Sequence, residues 1–199
     1  MRANKPNPLE LLKEYVEKIS PLGPHTWEQF ARLFICKRLK KNDYFIREGE
    51  VAHEIGFLTT GVIRAFHRNA EGTEYNKHFF VPHSFTGGYS SLVTQRPNLI
   101  HHQALTDCEL YVAPYSRITE LFDSHQDLER FARKQAEQYF VYKEKREIDI
   151  VLLNADMRYL QFQQEYPGLQ QLIPQYHIAS YLGITPTQLS RIRRKFSQS

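Results

Sequence analysis

Between residues 35 and 115 the chain is cut into short apolar runs by turn-forming residues: Asn42-Asp43, Glu48-Gly49-Glu50, Thr60-Gly61, Asn69-Ala70-Glu71-Gly72, Gly87-Gly88 and Arg96-Pro97-Asn98. Runs this short are a poor fit to helices, and turn residues at such intervals predict many short antiparallel strands in a roll, sandwich or barrel. The flanks read differently. Leu9, Leu12, Val16 and Ile19 make one helical stripe, ended by Pro21-Leu22-Gly23-Pro24, and Trp27, Phe30, Ala31 and Phe34 make a second. A long stretch from about 123 to 153 has no helix breaker and carries Leu128, Phe131, Ala132, Gln135, Tyr139 and Tyr142 toward one side. This stretch is expected to cover the β part and to pair with a second copy of itself along those residues, making a homodimer.

Residues 174–199 carry the clearest local signals. Ile178, Ala179 and Leu182 fall at helical spacing, and Gly183 follows where a left-handed terminal residue is easiest for glycine. Thr185 then suits an N-cap, with Pro186 at the first helical position, Gln188 completing a Thr-x-x-Gln capping box, and Ile184 placed to staple against Leu189. Two helices with a tight turn, the second basic and carrying Leu189 and Ile192 inward, match a helix-turn-helix that reads double-stranded DNA. Gln188 and Arg191 are expected at base edges, with Thr187 and Ser190 at base or phosphate. Thr185, Arg193, Arg194, Lys195, Tyr176 and His177 complete the expected DNA face, the last five at the backbone. Of 26 Lys and Arg against 22 Asp and Glu, four basic residues and no acid lie in this segment, so it accounts for the net charge of +4.

The expected fold class is α+β. Residues 1–122 form N-terminal helices and an antiparallel, jelly-roll-like β-roll sensor. Residues 123–153 form the connector and dimerisation helix, and 154–199 a small all-α helix-turn-helix domain. No wing is expected, since 166–174 is too short for a hairpin and only Phe196-Ser197-Gln198-Ser199 follow the second helix. No run of some eighteen apolar residues occurs, and the start MRANKPNPLELLKEYVEKI mixes charges among its apolar positions, so a cytoplasmic protein without membrane association is expected. Cys36 and Cys108 are too few for a four-cysteine metal site and are expected to be buried apolar filler.

With roll, long helix and helix-turn-helix in that order, the chain resembles the Crp/Fnr family of bacterial transcription regulators along essentially its whole length. Ile46-Arg47-Glu48-Gly49-Glu50 and Gly56 to Arg64 are similar to the "E-G-E … G-x-V-R" stretch of that family, and Phe79-Phe80, Ser84 to Gly87 and Ala104 to Leu110 to the strands flanking its ligand cassette. The resemblance implies a cyclic-nucleotide-binding-like domain, a homodimer, a small-molecule input, promoter DNA as output, RNA polymerase as a partner, and no enzymatic activity. It places the effector pocket at Arg64, Gly87, Gly88, Tyr89, Ser90, Ser91, Asn98 and Leu99.

This sequence departs from the members that bind cyclic AMP. Their Gly-Glu, for the ribose, and Arg-Ser, for the phosphate, are replaced by Gly88 and by Asn98-Leu99. A phosphate buried without its cation loses a charge-assisted bond, so cyclic AMP is disfavoured and the effector is unknown, with no cofactor certain. No cysteine precedes Cys36 to hold an iron-sulfur cluster of the Fnr kind. The alternative readings are a cupin-like metal-dependent enzyme and a metal- or haem-binding sensor. The first needs a His-x-His pair, which is lacking. The second would draw on His78, His83, His101 and His102, of which the adjacent pair must face opposite sides of a strand.

Overall fold

The computed structural model describes residues 7–197; Met1 to Pro6, within the stretch read for a leader, and Gln198 and Ser199 lie outside the described residues. Eight strands form two antiparallel sheets. One contains β1 (Ile35–Leu39), β8 (Cys108–Pro114), β3 (Glu54–Thr60) and β6 (Ser84–Thr86) in that spatial order. The other contains β2 (Tyr44–Ile46), β7 (His101–Ala104), β4 (Ile63–Arg68) and β5 (Glu74–Phe80). Leu39, Leu58, Ile63, Ala65, Phe80, Ala104, Leu110 and Val112 fill the space between them.

Turn residues decide where the strands end. Gly61, between β3 and β4, has φ +91°, and a Cβ there would lie 2.5 Å from the Asp107 carbonyl oxygen and 2.6 Å from Cys108 Sγ. Cys108 is buried as expected, but Cys36 is exposed, because β1 lies at a sheet edge and alternation turns Cys36 outward.

Helices cover both sheets. Asn7 caps α1 (Pro8–Ile19), its side chain accepting from the Leu9 amide, and Pro24 opens α2 (Pro24–Ala31). Leu12, Val16, Phe30 and Phe34 pack with Phe57, Ala113, Leu128 and Phe131 into a core outside the first sheet. Two short helices, α3 (Tyr89–Thr94) and α4 (Tyr115–Glu120), precede the long α5 (Gln126–Leu152). Asn154 caps α6 (Ala155–Glu165), and α7 (Leu169–Leu172), α8 (Gln175–Leu182) and α9 (Pro186–Ser197) follow. No β-hairpin occurs in the described part of the C-terminal segment.

The C-terminal helices do not stand apart from the roll. Tyr159, Phe162, Tyr166, Ile178, Tyr181, Leu182, Leu189 and Ile192 share one buried cluster with Val62, Phe79 and Leu105 of the roll. Phe79 can reach them because it neighbours Phe80 on β5 and so points to the opposite face of the sheet. Gly61→Ala combines a left-handed backbone with a main-chain clash and should lower unfolding free energy by about 1–3 kcal/mol. Urea unfolding reads this directly, and an unchanged midpoint would contradict the turn geometry.

Candidate effector pocket and nucleic-acid interface

A cavity of about 520 Å³ opens between the roll, the α3 cassette and α5. Its wall includes Gly87, Gly88, Tyr89, Ser90, Ser91, Asn98 and Leu99, seven of the eight residues expected there. Leu92 is buried while Tyr89 and Leu99 are exposed, so the apolar side chains of the cassette do not fill the space. Arg64 is not part of the wall. On β4 it alternates with Ile63 and Ala65, whose side chains face the interior, so its own side chain leaves by the other face.

Ser91 and the Asn98 amide nitrogen of the cassette are bonded to the protein itself. Ser91 Oγ accepts from the Ala52 amide at 2.9 Å and donates to the Arg96 carbonyl. Asn98 donates to the Ile100 carbonyl, while its main chain pairs with Gly49 and Glu50. A Cβ on Gly88 would stand 2.9 Å from Asn98 Oδ1, so Asn98 occupies the space that a side chain at 88 would need. Arg96 is exposed and does not line the cavity. A cyclic nucleotide would find neither a carboxylate for its ribose nor a guanidinium for its phosphate, and the residues present do not fit that ligand.

Arg64 instead joins the roll to the first helix of the helix-turn-helix. Its guanidinium donates to Gln103 Oε1 at 2.7 and 3.0 Å, to Glu74 Oε2 at 2.5 Å, and to His177 Nδ1 at 3.1 Å, and it lies 3.6 Å above the Phe66 ring. Arginine has only donors, so Nδ1 of His177 accepts and the imidazole proton resides on Nε2. Asn76 Nδ2 donates to the His177 carbonyl at 3.0 Å, and Ser180 Oγ both accepts from the Asn76 amide and donates to the Glu74 carbonyl. His177 is therefore buried against β5 and unavailable to a DNA backbone, which corrects its expected role. In sequence it looked like a free first-turn residue, since nothing nearby betrays a partner 113 positions away.

The second helix has the expected local structure. Gly183 takes φ +68°, Thr185 Oγ1 accepts from the Gln188 amide at 3.2 Å, and Gln188 Oε1 accepts from the Thr185 amide at 2.9 Å. Leu189 and Ile192 are buried; Thr187, Gln188, Ser190, Arg191 and Arg194 are exposed, as is Tyr176, and Arg193 is half-buried. Lys195 pairs with Asp156 of α6 at 2.5 Å, so an acid from outside the segment offsets one of its four cations.

Residues 36–125 match the family described as the cyclic nucleotide-binding domain. Solved structures of the same architecture include FixK2 from Bradyrhizobium japonicum, at 14% identity over 83% of this chain and 85% of that one, with a TM-score of 0.73. The c-di-GMP responsive global regulator CLP of Xanthomonas campestris aligns at 17% identity, covering 88% and 92%, with a TM-score of 0.67. The catabolite activator protein of Thermus thermophilus aligns at 16%, covering 96% and 87%, with a TM-score of 0.56. Residues 36–125 are thus similar to a cyclic nucleotide-binding domain, and the chain has the fold of these Crp/Fnr structures. No curated protein matches it in sequence.

Within this Crp/Fnr fold, α5 turns its expected pairing residues inward. Leu128 and Phe131 are buried in the core with α1 and α2, which removes them from any partner surface. Gln135 accepts from Tyr15 at 2.7 Å, Ala132 and Tyr139 wall the cavity, and Tyr142 bonds Glu165, His78 and Tyr166. The apolar residues that α5 does expose are Phe140, Val141, Ile148, Ile150, Val151 and Leu152. Among the described residues no group of three His, Cys, Asp or Glu is placed to hold a metal, and no helix is long and apolar enough to cross a membrane.

Buried histidines give this arrangement a pH dependence. Burial, with Arg64 beside it, pushes His177 down to about 4, and burial pushes His102 down to about 3, where Thr86 Oγ1 lies 3.1 Å from its Nδ1. Between those values and about 6.5 each is neutral when folded and protonated when unfolded, so stability present above pH 6.5 is lost as pH falls. Near pH 5 unfolding should take up about two protons from this pair and a third from His78, which burial also pushes down to about 3, a slope of roughly 4 kcal/mol per pH unit. Urea titrations from pH 4.5 to 7.5 measure the slope, and His177→Gln should reduce it by about one proton.

Proposed function

We propose that this protein is a non-enzymatic, sequence-specific DNA-binding transcription regulator that acts as a homodimer and answers to a small molecule other than cyclic AMP. The observation that carries this reading is α9, a capped, exposed, basic helix held on α8 by buried Leu189 and Ile192. Its architecture is shared with the catabolite activator protein and CLP, the latter described as a c-di-GMP responsive regulator. A cytoplasmic location and contact with RNA polymerase go with this reading.

The dimer forms along the exposed side of α5. Val141 and Ile148 are one heptad apart and Val151 follows three residues later, a spacing that suits a short coiled coil. Glu144 lies within the same stripe, where a charge weakens pairing and helps set its register. Ile148→Glu should convert the dimer to a monomer in analytical ultracentrifugation while leaving the far-ultraviolet circular dichroism spectrum intact. A dimer that persists would place the interface elsewhere.

Two such α9 helices enter successive major grooves about 34 Å apart on a near-palindromic site. Gln188 and Arg191 read bases, Thr187 and Ser190 contact base or phosphate, and Arg193, Arg194, Lys195 and Tyr176 contact the backbone, with Thr185 at the helix cap facing it. Selection of DNA by the purified protein, followed by binding measurements on the selected site, tests the assignment. Arg191→Ala should lose roughly 1 to 3 kcal/mol and relax one base position, whereas Lys195→Ala should weaken all sequences alike. Uniform losses from both variants would remove Arg191 from base readout.

A further inference from the structure

The cavity is walled mostly by apolar side chains, and the polar groups at its inner end are already bonded to one another. His102 lies 3.1 Å from Thr86, Ser91 bridges Ala52 and Arg96, Asn98 is bonded to Ile100, and Gln135 to Tyr15. A ligand that brought hydroxyls or ring nitrogens to that depth would leave them without partners, at a cost comparable to a lost hydrogen bond for each. The buried part of the ligand is therefore apolar.

The mouth has the opposite character. Lys77 of β5 and Lys143 of α5 both line it, and no Asp or Glu does. Neither amine has a hydrogen bond or ion pair among the described residues. Lys77 is held below the usual lysine range by burial and by the charge of Lys143, with Glu147 opposing. Two like charges facing one opening, with no carboxylate between them, are complementary to an anion.

We propose that the cavity binds a monocarboxylate carried on an apolar body, its two oxygens held by Lys77 and Lys143 and its body packed against Phe80, Phe85 and Tyr139. This rests on the reading of the cavity as the regulator's effector site and names the chemical class of that effector. A carboxylate suits two separate amines. A phosphate would lack the guanidinium whose paired donors suit it, since no Arg lines the cavity. Because Lys77 is on the roll and Lys143 on α5, the bound anion ties the sensor to the helix that carries the exposed Val141, Ile148 and Val151 stripe.

The test is isothermal calorimetry and thermal unfolding of the full chain with dodecanoate and 2-naphthylacetate as probes, dodecan-1-ol as the uncharged match, and cyclic AMP. At least one carboxylate should bind saturably, about tenfold or more tighter than the alcohol, and raise the melting temperature. A Lys77→Gln, Lys143→Gln double variant should lose that preference about tenfold. Binding of neither carboxylate, equal binding of the alcohol, an unchanged preference in a folded double variant, or saturable cyclic AMP binding would each overturn the proposal. The comparison of carboxylate with alcohol on the unaltered chain decides the question even where the double variant does not fold. Retention of selected DNA by the same preparations reads the regulator assignment separately. Lost DNA binding with intact carboxylate binding sinks that assignment alone, and the reverse sinks only the ligand class.

Discussion

Helix α5 has to satisfy different partners along its length, and the rest of the structure is arranged around it. At 27 residues it spans about 40 Å. Its first turns lock Leu128 and Phe131 into the core beneath α1 and α2. Its middle closes the cavity with Ala132, Gln135 and Tyr139, and further on Arg146 donates to the Tyr181 carbonyl at 2.8 Å and stacks on that ring. One rod thus touches the N-terminal cover, the cavity and the C-terminal helix-turn-helix. Movement of its middle relative to the roll would be felt at both ends, since a packed helix shifts as a unit.

A second constraint comes from Arg64. A guanidinium that is only 4% exposed is costly unless its donors are matched, and here Glu74, Gln103, Asn76 and His177 share that task. Because one of those partners is on α8, the seat of the helix-turn-helix is part of the solution to burying a charge on β4. The same geometry leaves α9 on the outside, since α8 takes the contact with the roll. This couples the helix-turn-helix to the roll more closely than a flexible linker between independent domains would.

How far the sequence could be read depended on the distance over which each feature is decided. The capping box at Thr185 and Gln188, the Gly183 terminus and the turn at Gly61 are set by residues within a few positions, so spacing alone located them. The cassette of the pocket was placed by the resemblance to the Crp/Fnr family, and Gly87 to Ser91 and Asn98 do line the cavity. Arg64 was misplaced, since only the pleat of β4 says which face its side chain takes. His177 was misplaced because its partners lie on β4 and β5.

The pairing face of α5 shows the same limit. Leu128, Phe131, Ala132, Tyr139 and Tyr142, with Gln135 among them, form the longer stripe, and a helix considered alone would offer it to a partner. The roll claims that stripe first, leaving the weaker one, interrupted by Glu144, outside. Sequence by itself determined the order of elements, the turns and the basic helix, because caps, turns and charge counts depend on local chemistry. Tertiary structure alone decided which apolar face is buried, where Arg64 and His177 meet, and that Lys77 and Lys143 share one opening. Those depend on residues brought together from strands and helices far apart in the chain.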